Sequence, residues 1–193
     1  MRRTSLEPCF RRQVIPVVWD PTPHSELIRH ASTVFLQGGP LIELADVLDC
    51  FRGPQLDHLS LFVHIDLVAG LENSETGVAY LAGFERLAGV VTVHPHLTSS
   101  IRRGRLLSIL RLFLSDSRAV ERGLSVIAKS RPDAIEILPA AVAPKVADDF
   151  RHCQVPRITG GLCRSEQDIR EALDSGCVAV TSTRPELWQL NQP

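Results

Sequence analysis

Residues able to do chemistry recur at one repeated place in this chain, the carboxyl end of a short apolar run. Gly160 and Gly161 follow the run 155–158, and Thr181, Ser182 and Thr183 close the run 178–180. Two adjacent glycines leave backbone N–H groups bare for close approach by an anion. Ser182 and Thr183 add hydroxyls. Thr183 and Glu186 have capping-box spacing, with Pro185 in the first turn, so a helix N-terminus is expected to aim at the same place. Gly160, Gly161, Ser182 and Thr183 therefore read as a phosphate site; the alternative is a tight turn beside an ordinary cap.

Four further residues occupy equivalent positions. His64 and Asp66 are two apart, which puts both on one face of a strand. They suit ligand hydroxyls or acid–base work, or else form a satisfied pair near the core. Arg111 and Glu136 stand in consecutive runs, 107–112 and 134–138. Neighbouring strands would make them a buried ion pair, since a lone buried charge costs several kcal/mol, and either can still offer a free edge to a ligand. His94 and His96 flank Pro95, but no third ligand converges on them, so no metal site is expected. Arg102, Arg103 and Arg105 form the densest basic patch, read either as a solvated helix face or as contacts to a nucleic-acid backbone.

These positions need a scaffold that gathers strand ends. The apolar runs are short, continuous and separated by helix-like segments. Leu41, Leu44, Leu48 and Phe51 recur at helical spacing, Ser117 can cap a helix with the face Val120, Leu124 and Ile127, and Pro144 suits a first turn. Ser165 and Asp168 make a capping box ahead of Ile169, Ala172 and Leu173, with Gly176 as the cap behind them. Further strands fit 15–19, 34–36 and 89–93. Eight strand–helix units predict a compact (β/α)8 TIM-type barrel in one domain over 1–193, with residues 1–12 as an arm. An open doubly wound sheet is the alternative. In both, ligands bind at the carboxyl ends of the strands.

Composition sets the class. The chain has 193 residues, is 44% hydrophobic and 22% charged, and has a formal net charge of −1, which argues against indiscriminate nucleic-acid binding. No apolar run is long enough to span a membrane and the amino terminus lacks a signal-peptide pattern, so a cytoplasmic protein is expected. The five cysteines are scattered without a C-x-x-C pair and read as small buried thiols. Lys129 and Lys145 are the only lysines. Neither stands at a strand end, where a Schiff-base aldolase would need one.

Taken in order, Val63-His64-Ile65-Asp66-Leu67, Arg111-Leu112-Phe113 with Asp116-Ser117, Pro132 through Pro139, Gly160-Gly161-Leu162, and Thr181-Ser182 with Glu186-Leu187-Trp188 resemble the glycerol uptake operon antiterminator family. The likeness runs through nearly the whole chain, and 131–139 is its most specific stretch. The resemblance implies a barrel that acts as a sensor rather than an enzyme. It would bind glycerol 3-phosphate, need no cofactor, and engage leader mRNA so as to prevent transcription termination upstream of glycerol-utilisation genes. His64, Asp66, Arg111 and Glu136 are then expected around the glycerol hydroxyls. Arg102, Arg103 and Arg105 become the RNA candidates. A homo-oligomer is left open, and the alternative function is a phosphometabolite-binding TIM-barrel enzyme of the phosphosugar isomerase or lyase type.

Overall fold

Eight parallel strands close on themselves in sequence order, each hydrogen-bonded to the next and β1 to β8. They are β1 (Val14–Val18), β2 (Thr33–Leu36), β3 (Ser60–His64), β4 (Leu87–Thr92), β5 (Leu107–Phe113), β6 (Ala134–Leu138), β7 (Arg157–Gly160) and β8 (Ala179–Ser182). The computed structural model describes residues 6–192. The α-helices outside the barrel are α1 (Ser25–Ile28), α2 (Leu44–Cys50), α3 (Glu75–Leu81), α4 (Thr98–Arg103), α5 (Ser117–Ser130), α6 (Glu166–Asp174) and α7 (Pro185–Trp188). This is the (β/α)8 barrel expected from the alternation, and closure excludes the open sheet.

Strands covered on both faces need apolar residues at every position, and the burial patterns show why the runs are continuous. Inward side chains, Ile15, Val17, Phe35, Phe62, Val91, Ile109, Ala134, Ile158 and Ala179, fill the barrel's lower interior. Phe35 and Phe62 pack there with ring centroids 5.6 Å apart. Outward side chains such as Val34, Leu36, Leu61 and Val63 meet Leu44, Leu48, Val78 and Ile101 from the surrounding helices. Leu110, Ile135 and Ile137 meet Val120, Ile127 and Phe150 in the same way.

Several local expectations are corrected. β7 begins at Arg157, two residues later than the apolar run, because Pro156 has no N–H for the ladder and only its carbonyl is used, by Ile135 N at 3.0 Å. The β6–β7 connection is a 3-10 stretch, Ala140–Val146, with Pro144 inside it rather than in the first turn of an α-helix. Asp116, not Ser117, caps α5, accepting from Ala119 N at 2.7 Å. The Ser165–Asp168 capping box on α6 is formed. The expected arm falls partly on residues 1–5, outside the described residues. Its remainder lies under the amino-terminal end of the barrel, where Cys9 is buried and its carbonyl accepts from Thr33 Oγ1 at 2.6 Å. Cys163 and Cys177 are also buried, Cys153 is half-buried and Cys50 is exposed. Among the described residues no helix is long and apolar enough to cross a membrane.

Candidate functional site

Above the apolar interior several strand ends turn polar, and Gln37, Arg111, Glu136 and Thr181 surround, with Val17, a cavity of about 150 Å³ at the carboxyl end of the barrel. That is smaller than the roughly 300–1,000 Å³ of drug-sized pockets, so it suits a small metabolite. Its wall is built from Val17, Gln37, Arg111, Glu136 and Thr181, and its rim from Leu138, Gly161, Leu162, Cys163, Ser182 and Thr183.

Arg111 and Glu136 are paired directly across β5 and β6, as their consecutive runs implied. Arg111 Nε donates to Glu136 Oε2 at 2.6 Å, and Thr181 Oγ1 donates to Oε1 at 2.7 Å. Glu136 is fully buried with both oxygens occupied, so its charge is compensated in place. The two terminal nitrogens of Arg111 donate to no described residue and are left to the cavity.

The phosphate candidates separate into two groups. Gly161, Ser182 and Thr183 line the cavity; Gly160 does not. A Cβ on Gly160 would lie 1.8 Å from Thr181 Oγ1, so that glycine makes room for the Thr181–Glu136 hydrogen bond. Gly161 has φ +71, and Leu162 follows at φ +61, a strained setting for a side-chain-bearing residue. Backbone N–H groups of Leu162, Cys163 and Thr183 find no acceptor among the described residues. Ser182 Oγ accepts from Arg184 N at 3.1 Å, and its carbonyl takes Trp188 Nε1 at 2.8 Å. The expected Thr183–Glu186 capping box is not formed. Arg184 is the N-cap of the four-residue α7 and no side chain caps it, while Glu186 pairs with Arg184.

His64 ends β3, but the chain then turns into a 3-10 segment, Ile65–Leu67. Asp66 therefore leaves the strand and the period-two argument stops applying to it. Its carboxylate accepts from Val93 N at 3.0 Å and Thr92 Oγ1 at 3.1 Å, and His94 Nε2 lies 3.2 Å away. His64 Nδ1 is 3.3 Å from Asp66 Oδ2, yet the alignment is poor and neither ring nitrogen has a hydrogen bond. Burial, reinforced by the Arg111 charge, pushes the His64 pKa down to about 3, so the ring is neutral and the contact is no salt bridge. Neither His64 nor Asp66 is part of the cavity wall; Gln37, which the sequence reading passed over, is. Its signal was present: it is the polar residue ending 34–36, ahead of Gly38-Gly39.

Cys163, on the rim, is an unpromising nucleophile, since burial first and the Asp168 charge second push its thiol up to about 11. His94 stacks near His96 with centroids 5.5 Å apart. Among the described residues no group of three or more His, Cys, Asp or Glu could hold a metal.

The basic patch lies at the other end of the barrel, where β5 and β6 begin. Arg102 reaches across to the carboxyl end of α5, donating to Arg131 O at 2.7 Å and Ser130 O at 3.3 Å. Arg103 pairs with Glu75 at 3.1 Å in an exposed setting. The contact brings exposed Lys129 and Arg131 beside Arg102, while Arg103 turns to α3.

Comparison with known proteins fits this geometry. The family described as glycerol-3-phosphate responsive antiterminator matches residues 14–188. The chain is 31% identical over 129 residues to the uncharacterized protein YgcP of Escherichia coli (strain K12), covering 67% of this chain and 68% of that protein. A glycerol uptake operon antiterminator-related protein from Thermotoga maritima MSB8 is 29% identical with a TM-score of 0.80, covering 92% of this chain and 98% of that one. A glycerol uptake operon antiterminator regulatory protein from Listeria monocytogenes shares the fold, with 24% identity, a TM-score of 0.83, and coverage of 93% and 96%.

Proposed function

This chain belongs to the glycerol-3-phosphate responsive antiterminator family, and we propose that its barrel senses glycerol 3-phosphate in the carboxyl-end cavity and carries leader RNA on the basic corner at the opposite end. The observation that carries the ligand half is the rim itself. Three unpaired N–H groups, from Leu162, Cys163 and Thr183, together with the Thr183 hydroxyl, surround a cavity whose wall holds the free end of Arg111. Donors without acceptors, converging beside a guanidinium, suit a phosphate. Glu136 holds Arg111 in position and keeps the wall neutral until the anion arrives.

The sensor reading, rather than catalysis, is supported by what the candidate groups are doing. Glu136 has both oxygens engaged, and the Cys163 thiol stays protonated. Lys129 and Lys145 lie outside the cavity wall. No cofactor is needed for binding alone. The RNA half draws on the family and on basic residues around the start of β5 and β6: Arg102, Lys129 and Arg131 where α4 meets α5, Arg103 on the α3 side of α4, and Arg105 ahead of β5.

The test is thermal unfolding with added ligand. Glycerol 3-phosphate at a hundred times its Kd should contribute about 2.7 kcal/mol, raising Tm by roughly 5–10 °C in a chain of this size. Thr183→Asp, at an exposed position, should fold normally and lose that gain by charge repulsion. Gly161→Val is a poorer probe, because φ +71 strains any side chain and its Cβ would meet Leu138 Cδ2 at 3.4 Å. An unshifted Tm in the wild type, or steady turnover of glycerol 3-phosphate or triose phosphates, reverses the proposal.

A further inference from the structure

Gln37 follows β2 as His64 ends β3, and the register that pairs Leu36 with Val63 sets the two side by side. Both continue the inward face below them, Phe35 to Gln37 and Phe62 to His64. Among the described residues, four buried side-chain polar atoms lack a hydrogen bond: Gln37 Oε1, His64 Nδ1, His64 Nε2 and Arg86 Nε. Arg86 is at the far end of the barrel, where its other nitrogens cap the carbonyls of Phe51, Leu56 and Leu59. The remaining three fall on these two neighbours. Each buried unmet group costs on the order of 1–3 kcal/mol and native folds carry few of them. His64 is 2% exposed, so bulk water does not satisfy it. The amide nitrogen of Gln37 has no acceptor among the described residues either, and Gln37 is in the cavity wall.

The chemistry of the pair identifies its partner. A carboxamide sets one acceptor and one donor side by side, and a neutral imidazole does the same. Phosphate and carboxylate oxygens only accept, so they leave Gln37 Oε1 unmet. An alkyl group meets nothing. A hydroxyl both donates and accepts. We propose that Gln37, backed by His64, reads the hydroxyl end of the ligand, so that the cavity selects a phosphorylated polyol over a phosphorylated acid or alkyl chain of the same size. This rests on the phosphate reading of the rim and adds to it the residue that sets specificity.

Calorimetric titration of wild type, Gln37→Leu and Gln37→Met with glycerol 3-phosphate, propyl phosphate and inorganic phosphate tests it. Wild type should prefer glycerol 3-phosphate to propyl phosphate by roughly 10- to 100-fold. Gln37→Leu should bring that ratio close to one while holding propyl phosphate as well as wild type does. If the leucine variant is not folded by circular dichroism, the unbranched Gln37→Met carries the same expectation. A ratio that survives in the folded variant overturns the role of Gln37, as does a wild type that binds both phosphates equally. A wild type that binds none of the three removes the phosphate reading as well.

Discussion

Arg111, Glu136 and Thr181 act as one unit. Glu136 is reachable only through its partners, so Glu136→Ala strands a largely buried guanidinium, and Arg111→Ala strands a buried carboxylate. Breaking such a pair from one side costs about 3–5 kcal/mol, whereas the pair itself adds little net stability. Each single variant should therefore unfold at clearly lower urea. The double variant Arg111→Met with Glu136→Leu should recover most of the loss while abolishing ligand binding. A double variant no more stable than the singles would show the pair to be intrinsically stabilising. His64 makes a pH prediction from the same neighbourhood. Unfolded, its imidazole takes a proton near 6.5, while in the fold it resists down to about 3. Between those values the unfolded chain holds the extra proton, so acidification favours unfolding. The contribution is complete above 6.5 and is lost toward 3, at on the order of 1 kcal/mol per pH unit. Compared at about pH 7.5 and 5.5, wild type should lose more stability than His64→Leu by that amount. Parallel losses would place the orphan ring outside the linkage.

At the scale of elements, β7 and β8 are fitted to each other at one point. Gly160 is opposite Thr181, whose hydroxyl crosses the gap to Glu136, and any side chain on Gly160 collides with it. Gly160→Ala should cost about 1–3 kcal/mol by overpacking. In a Thr181→Ala background, where the obstructing oxygen is gone, the same change should cost markedly less, and equal costs in a double-mutant cycle would refute the coupling. This point also marks where reading the sequence stops. The glycine pair was visible as a bare turn, but its first member serves a hydrogen bond from another strand, a tertiary fact with no local signature. Asp66 was lost for a similar reason: period-two alternation holds only while the strand lasts, and β3 ends at His64. Strands were legible because burial on both faces forces unbroken apolar runs, and the Ser165–Asp168 box because a cap is local. Gln37 went unread because a lone glutamine before two glycines resembles a polar loop; only closure of the barrel turns it inward. Arg111 and Glu136 were legible as neighbours because the strands follow sequence order.

For the whole molecule, the two proposed sites occupy opposite ends of the same strands. Arg111 and Glu136 lie toward the carboxyl ends of β5 and β6, and the basic corner sits where those strands begin. Seven residues of β5 span roughly 23 Å. Antitermination that responds to a metabolite requires the sites to be coupled, and coupling is reciprocal: whatever factor glycerol 3-phosphate adds to RNA affinity, RNA adds to ligand affinity. Fluorescence anisotropy with a glycerol-operon leader transcript, with and without glycerol 3-phosphate, should show a gain of roughly 5- to 150-fold. Affinity should fall with salt at a log–log slope of about −0.7 per phosphate contact. Arg103→Ala with Lys129→Ala removes two exposed cations without disturbing the Arg102 contacts to α5, and should flatten the slope by about 1.4. Arg102→Ala is a different case, because that side chain holds carbonyls at the end of α5, and its loss should lower stability as well as RNA affinity. Ligand-dependent RNA binding whose salt slope ignores the first pair would move the RNA surface away from this corner while leaving the sensor in place. RNA affinity indifferent to ligand would leave a barrel whose two ends do not communicate.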